Sequence, residues 1–388
     1  MDLVKSANER RPVVPRLDGV DVLRGLSILA VIVLHVYIRL RGYGFKPATD
    51  WPRWLFHLIF LNGNNGVTIF FAVSGFLITL TSLRRFGSLA EMRAQVFYRI
   101  RFARIAPLLL LVLGVLSALC LAHVPGYVIS PKVSTLPRAL LAALTFHLNY
   151  LEAVRGWLPA NWDVLWSLSV EEMFYLFFPL VCLVLLRFGR GVYLFVALLV
   201  AFVVMGPFAR TVWAWNDIWQ EKSYLGGMDA IALGCLTALL VARLQRAGRR
   251  VGAGALRGLQ ALGAAMIVLI FVWPTWHHVL KYVGRSGLDG TILALGASLV
   301  IFATTMRGSR GRLWTAPLRW FGRHSYEVYM THEFVVVAGV AAYAHVQRGP
   351  LAVWYVGLIV LTAPLGWAVA RFFSEPMNRR LRGAASAR

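Results

Sequence analysis

The chain has 388 residues, of which 59% are apolar or aromatic and only 15% are charged, with a mean hydropathy of +0.65. Soluble domains carry more charge, about 25%, so this composition excludes an ordinary soluble protein as well as a disordered one. The three cysteines lie inside apolar blocks, and neither a disulfide framework nor a cysteine zinc site is expected.

Ten apolar blocks are predicted to form membrane-spanning helices, because each can cross a hydrocarbon core of about 30 Å at roughly 1.5 Å per residue. They cover residues 23–40, 66–82, 105–122, 164–186, 191–209, 225–242, 256–273, 288–306, 325–345 and 351–373. The shorter apolar segment 138–152 is predicted to be a re-entrant or interfacial helix. We therefore expect an all-α integral membrane protein.

The net charge of +23 indicates orientation in the membrane. If the ten spans alternate in direction, most lysines and arginines face one side, including those of the stretches 84–104, 243–257 and 307–323. The positive-inside rule then places both chain ends in the cytoplasm and the protein in the inner, or cytoplasmic, cell membrane. Nucleic-acid binding is not expected, because this distribution of charge is already explained by topology.

Three parts are expected along the chain. Residues 1–22 form a cytoplasmic tail, residues 23–373 a single multi-span domain, and residues 374–388 a basic cytoplasmic tail. The first 22 residues are polar, and the first apolar block leads into no small-residue cleavage site, so no cleavable signal peptide is expected. No polar stretch is long enough to form a second, soluble domain.

Arg24 and His35 lie on one face of the first predicted helix. Their spacing corresponds to about 20° after three full turns and to a rise of roughly 16 Å. The Arg24 guanidinium at the cytoplasmic rim suits a phosphate-bearing ligand, and the His35 imidazole near mid-membrane suits proton transfer. The alternatives are a charge that only orients the helix at Arg24 and a packing role at His35.

A second polar stripe lies on the helix predicted over 164–186. Glu171 lies roughly 12 Å from its outer end, at the level expected for His35, and could orient that imidazole. Ser167 shares the face of Glu171, and Glu172 and Tyr175 are assigned to the same cavity. The alternative is a glutamate that only pairs with a nearby arginine.

Polar residues on two further helices complete the predicted cavity. Ser74 lies in mid-span next to a glycine, where small residues favour close helix packing. Ser325, Tyr329 and His332 follow the i, i+4, i+7 pattern and are expected to line the cytoplasmic half of the cavity.

Five motifs in order give the chain a resemblance to the membrane acyltransferase-3 family, whose members O-acylate sugars and other acceptors. They are LDGVDVLRG followed by the R-x10-H spacing of Arg24 and His35, FFAVSGFLI at 70–78, YRIRFARIAPLLLL at 98–111, WSLSVEEMFYLFFP at 166–179 and SYEVYMTH at 325–332. The resemblance covers almost the whole chain. In the span that reads GGMDAIALG, the family usually has an arginine where this chain has Gly227, which leaves the partner of Asp229 open.

The resemblance implies an acyl-CoA-dependent O-acyltransferase. The acyl group, expected to be acetyl, would pass from cytoplasmic acyl-CoA to a hydroxyl of a glycan, a glycolipid or a secondary metabolite. His35 would be the general base and Glu171 its orienting partner. The residues assigned to the CoA phosphates are Arg24, Arg99, Arg101 and Arg104. Direct transfer and an acyl-His35 intermediate are both compatible with the sequence.

Two other classes of function are compatible with the same residues. Intramembrane His, Glu and Arg also mark the proton and substrate paths of transporters, although no paired broken helices in related halves are visible. An inactive scaffold is the third possibility. No metal is expected, because the adjacent His277 and His278 lie in an outer loop without further ligands. The acceptor, the acyl chain and the oligomeric state are left open.

Overall fold

A computed structural model describes residues 17–48, 50–188, 190–272, 286–308 and 311–383, and over these ranges the chain is helical without strands. The helices are α1 (Asp18–Gly42), α2 (Arg53–Phe60), α3 (Gly63–Phe86), α4 (Ala94–Leu121), α5 (Leu136–Leu144), α6 (Leu148–Arg155), α7 (Asn161–Leu185), α8 (Gly191–Arg210), α9 (Asp217–Lys222), α10 (Tyr224–Arg246), α11 (Ala253–Val272), α12 (Leu288–Arg307), α13 (Ala316–Arg323), α14 (Ser325–Val346), α15 (Leu351–Val369) and α16 (Glu375–Gly383). A π-helical turn, Ala370–Ser374, joins α15 to α16.

Within the described ranges, nine helical segments are long and apolar enough to cross a membrane. They are α1, α3, α4, α7, α8, α9 with α10, α11, α12, and α15 continued to Arg382. These segments coincide with nine of the ten predicted spans, and the prediction of an all-α integral membrane protein is confirmed.

Two predicted segments differ from expectation in detail. The remaining predicted span, 325–345, forms α14, a helix of 22 residues that is not among the nine, because polar residues such as His332 and Glu333 lower its hydropathy. Residues 138–152 form parts of two short helices, α5 and α6, which are separated by a break after Leu144. Residues 1–16 and 384–388 of the predicted tails lie outside the described part of the chain.

Helix α3 lies at the centre of the fold. In its apolar 18-residue stretch 72% of the residues are buried, whereas the corresponding share for α11, at the periphery, is 17%. It crosses α10 at Gly75 and Gly234, which meet the backbone of the opposite helix. A Cβ atom at either glycine would come within 2.0 Å of a carbonyl oxygen, of Ile231 or Ala72 respectively. Small residues therefore set the close approach of these two helices, as is common in membranes.

A buried ion pair joins α8 to α10 and supplies the partner that the sequence left open. Arg210 Nη2 lies 2.7 Å from Asp229 Oδ2, and Nη1 lies 3.1 Å from Oδ1. Thr291 of α12 donates to the same carboxylate, and Arg210 also donates to the carbonyl of Gly287. The arginine thus comes from a neighbouring helix and not from position 227.

Candidate active site

A cavity of about 310 Å³ lies among α1, α3, α4, α7 and α14. These are the five helices that carry the sequence motifs. Its polar lining consists of Arg24, Ser74, Thr81, Arg101, Arg104, Ser167, Glu171, Tyr175, Ser325, Tyr326 and Tyr329. The remaining lining is mainly apolar and comes from residues such as Val67, Phe70 and Leu168. An apolar chamber with a cluster of guanidinium groups suits a ligand that has both an extended chain and anionic groups.

The arginines of the cavity are held in different ways. Arg24 donates from Nη2 to Ser325 Oγ at 2.8 Å, which joins the first and last motifs. The guanidinium carbon of Arg101 lies 3.7 Å from the ring centroid of Tyr175, and the buried Nε of Arg101 has no hydrogen-bond partner. Arg104 is exposed at the cavity. Arg99, also predicted to bind phosphate, is exposed but lies outside the described lining.

Glu171 belongs to this arginine-lined cavity. The hydroxyl of Tyr175 lies 3.5 Å from Glu171 Oε2 and makes a short hydrogen bond with Ser74 Oγ. Glu172 points elsewhere, and its buried Oε1 has no hydrogen-bond partner. The predicted polar stripe on α7 therefore exists, and three of its members, Ser167, Glu171 and Tyr175, face the cavity.

His35 contacts α14 instead. Its Nδ1 lies 3.0 Å from Nε2 of His332, and the ring centroids are 5.0 Å apart. Nδ1 of His332 lies 2.8 Å from the carbonyl oxygen of Tyr329 and 3.2 Å from that of Val328. The His332 side chain is fully buried, whereas that of His35 is 12% exposed.

A buried carboxylate lies beside this histidine pair. Glu333 Oε1 is 3.8 Å from His35 Nε2, and both carboxylate oxygens of Glu333 accept hydrogen bonds from Arg39 at 3.1 Å. The structure therefore places His35 and Glu171 in separate groups of contacts, and Glu333 occupies the position expected of Glu171. Helix spacing predicted the depth of Glu171 but not which helix lies against His35.

Sequence reasoning missed Glu333 and Arg39, although two signals pointed to them. Glu333 is a carboxylate in mid-span directly after His332, and such charges are rarely placed in a membrane without a partner. Arg39 lies four residues after His35 and so shares its helix face.

The same three side chains offer a possible set of metal ligands. The ligand atoms of His35, His332 and Glu333 all lie within 4.8 Å of one another. However, Arg39 occupies both oxygens of Glu333, and the two histidines are hydrogen-bonded to each other. The arrangement favours a hydrogen-bonded group over a metal site. The other candidate pair, His277 and His278, lies outside the described residues.

A second buried cluster lies near the start of α7. Lys222 donates to Glu152 at 2.8 Å and to Asp163, and its Nζ lies 4.0 Å from the ring centroid of Trp157. Lys222 is 1% exposed and Glu152 is fully buried. The Lys222 ammonium therefore links α9 to α6 and α7.

The chain was compared with known proteins. A family model for acyltransferase 3, described as an acyltransferase domain, matches residues 17–371. The O-acetyltransferase OatA of Staphylococcus aureus (strain NCTC 8325 / PS 47) is 24% identical over 387 residues, which cover 94% of this chain and 57% of OatA. The putative O-acetyltransferase SACOL0978 of S. aureus (strain COL) is 24% identical over 382 residues, with the same shares. The chain thus spans just over half the length of these relatives. No solved structure matches it.

Proposed function

This chain belongs to the acyltransferase-3 family, and we propose that it is an integral membrane O-acyltransferase that uses acyl-CoA. The names of its relatives support acetyl as the transferred group. The proposed acceptor is a hydroxyl of a carbohydrate or related molecule of the envelope or of secondary metabolism. The donor would enter from the cytoplasm, and the protein would lie in the cytoplasmic membrane.

One observation supports this proposal: α1 bears the Arg24 guanidinium and the His35 imidazole on one face. Arg24 lines the cavity near the beginning of the helix, and His35 joins the histidine pair roughly 16 Å further along. A phosphopantetheine arm can span such a distance. The thioester would then lie near His35 while the nucleotide phosphates remain at the rim.

The guanidinium groups of the cavity supply the charge that such a donor needs. Arg24, Arg101 and Arg104 line it together, with Glu171 as the acidic residue among them. Guanidinium groups bind phosphate oxygens through parallel hydrogen bonds and keep their charge in apolar surroundings. The unpaired Nε of Arg101 leaves a donor available for a ligand.

The contacts of His332 select the tautomer of His35 that a base requires. Two carbonyl oxygens face Nδ1 of His332, so this atom carries the proton. In a neutral His332 the Nε2 atom is then an acceptor, and Nδ1 of His35 donates to it. The lone pair of a neutral His35 consequently lies on Nε2, where it can take a proton from an acceptor hydroxyl.

We propose direct transfer by this base. Nε2 of His35 removes the proton of the acceptor hydroxyl while the oxygen attacks the thioester carbonyl carbon. The carbon–sulfur bond then breaks, and the proton on His35 passes to the departing CoA sulfur. Glu333 lies 3.8 Å from Nε2 and would stabilise the imidazolium that forms between these steps.

The test uses inverted membrane vesicles with acetyl-CoA that carries a labelled acetyl group. Release of CoA thiol and appearance of label in lipid-linked or glycan-linked material are measured together. We expect both with the wild-type protein, and a fall of roughly 100- to 10,000-fold for His35→Ala, since a general base contributes about that much. His345→Ala, at the exposed end of α14, is the matched control and should keep full activity.

Unchanged turnover in His35→Ala would remove the proposed base. Absence of thiol release by the wild-type protein with a panel of acyl-CoAs and envelope acceptors would favour the transporter alternative. Trapping of label on the protein at His35 after acid quench would replace direct transfer with an acyl-enzyme route.

A further inference from the structure

Tyr329 lies between the arginine-lined cavity and the histidine pair. Its side chain lines the cavity, and its ring centroid is 6.0 Å from that of His332. His332 in turn contacts His35, which does not belong to the described lining of the cavity. Tyr329 therefore contacts the cavity on one side and His332, the partner of His35, on the other.

Hydrogen bonds fasten this part of α14 to the facing helix α7. The hydroxyl of Tyr329 donates to the carbonyl oxygen of Val164 at 2.8 Å and lies 2.7 Å from Oγ of Ser167. The backbone oxygen of Met330 accepts a hydrogen bond from Asn161 Nδ2 at 3.0 Å. These contacts extend over nearly two helical turns of α7 and hold Tyr329 and Met330 against that helix.

The surroundings of His35 differ from those of Arg24. Its side chain keeps 12% exposure although it lies outside the cavity lining. Its neighbours Arg39 and Asp163, near the end of α1 and the start of α7, are 28% and 19% exposed. Arg24, in contrast, lies in the cavity near the beginning of α1. Arg24 lines the cavity and His35 does not, although both lie on α1.

We propose that Tyr329 is a barrier residue that separates the donor cavity from His35 until a donor is bound. This inference rests on the proposed function, since it assigns the cavity to acyl-CoA and the far side to the acceptor. The ring blocks the path, and the bonds of its hydroxyl to Val164 and Ser167 hold it in place. The amide groups of a pantetheine arm can replace these partners and release the ring.

Such a barrier would determine what attacks the thioester. Water competes with the acceptor hydroxyl for any exposed thioester, and a closed site prevents that side reaction. Tyr329 would shield the thioester until the donor arm displaces the ring, so that attack takes place only beside His35. The residue is thereby assigned to selectivity for the acceptor over water and does not itself exchange protons with substrate.

Accessibility of a thiol at position 35 tests the barrier without requiring catalysis. Cys120, Cys182 and Cys235 are replaced by alanine, and His35→Cys is introduced as the reporter. A charged, membrane-impermeant methanethiosulfonate is applied to inverted vesicles and to right-side-out vesicles. We expect labelling from the outer side only. Adding Tyr329→Ala should open labelling from the cytoplasmic side as well.

Two controls accompany the reporter. Ser74→Cys, in the cavity lining, should be labelled from the cytoplasmic side in every background, which shows that the reagent enters the cavity. Tyr326→Ala removes a tyrosine of the same helix whose hydroxyl bonds Ile105, away from the histidine pair. It should leave position 35 closed to the cytoplasm.

Cytoplasmic labelling of His35→Cys with Tyr329 intact would overturn the barrier. Absence of cytoplasmic labelling after Tyr329→Ala, with Ser74→Cys still reactive, would overturn it as well. The reporter lacks the imidazole and transfers nothing, so these results do not depend on whether the protein is an acyltransferase. Failure of acetyl transfer in the vesicle assay would in turn leave the accessibility pattern unaffected.

Discussion

Arg210 and Asp229 form a two-point ion pair between α8 and α10, with nitrogen–oxygen distances of 2.7 and 3.1 Å. The carboxylate is fully buried and also accepts from Thr291. A buried charge with several donors is stable only as long as its partners remain, because an isolated carboxylate loses its hydration without compensation. The pair lies away from the described cavity lining, so its contribution concerns the fold.

We expect Asp229→Ala to lower the free energy of unfolding by roughly 3–5 kcal/mol, because it leaves the Arg210 guanidinium buried and without its main partner. The matched control is Glu375→Ala, which breaks the exposed pair with Arg379 and should cost at most about 1 kcal/mol. Thermal unfolding of both variants in the same detergent measures the difference. Equal losses would show that the buried pair does not stabilise the protein.

His332 is expected to act on turnover through His35. His332→Leu removes the acceptor for Nδ1 of His35. It should lower kcat on the order of 100-fold, because a residue that hydrogen-bonds the other ring nitrogen of a functional histidine contributes about that much. His332→Gln keeps an amide oxygen that can accept the same proton and should retain more activity. Acyl-CoA affinity should stay unchanged in both variants. A parallel loss of affinity, or equal losses of turnover in the two variants, would indicate a purely structural role.

Arg24→Lys should weaken acyl-CoA binding more than acceptor binding. A lysine ammonium keeps the charge but cannot make the planar, two-point contact of a guanidinium with phosphate. The expected loss of acyl-CoA affinity is about tenfold, which corresponds to roughly 1.4 kcal/mol. Binding of CoA and of dephospho-CoA by calorimetry measures it. Arg53→Lys, on the short helix α2, is the control, and an equal loss there or an equal loss of acceptor affinity would count against a phosphate contact.

Residue spacing along single helices predicted much of the site. A period of 3.6 residues per turn predicts three groupings. They are the shared face of Arg24 and His35, the stripe of Ser167, Glu171 and Tyr175, and the row of Ser325, Tyr329 and His332. These groups lie in or beside one cavity.

Contacts between helices could not be predicted in the same way. Spacing predicts the depth of a side chain and its face, but not which helix packs against it. Glu171 and Glu333 were both compatible with the level of His35, and only the packing of α14 on α1 distinguishes them. Arg210 illustrates the same limit, because nothing in its own segment pointed to Asp229.

The direction of α14 through the membrane is the remaining prediction. This helix has 22 residues, which is long enough to span the hydrocarbon core at a rise of about 1.5 Å each, but it is not among the nine segments selected by hydropathy. Its polar residues, His332 and Glu333, are buried against α1 and so need not face lipid. In a background without native cysteines, Arg312→Cys should be labelled only from the cytoplasm and Arg348→Cys only from outside. Labelling of both variants from one side would show that α14 does not cross, and would place the ends of α15 on the opposite sides from those expected.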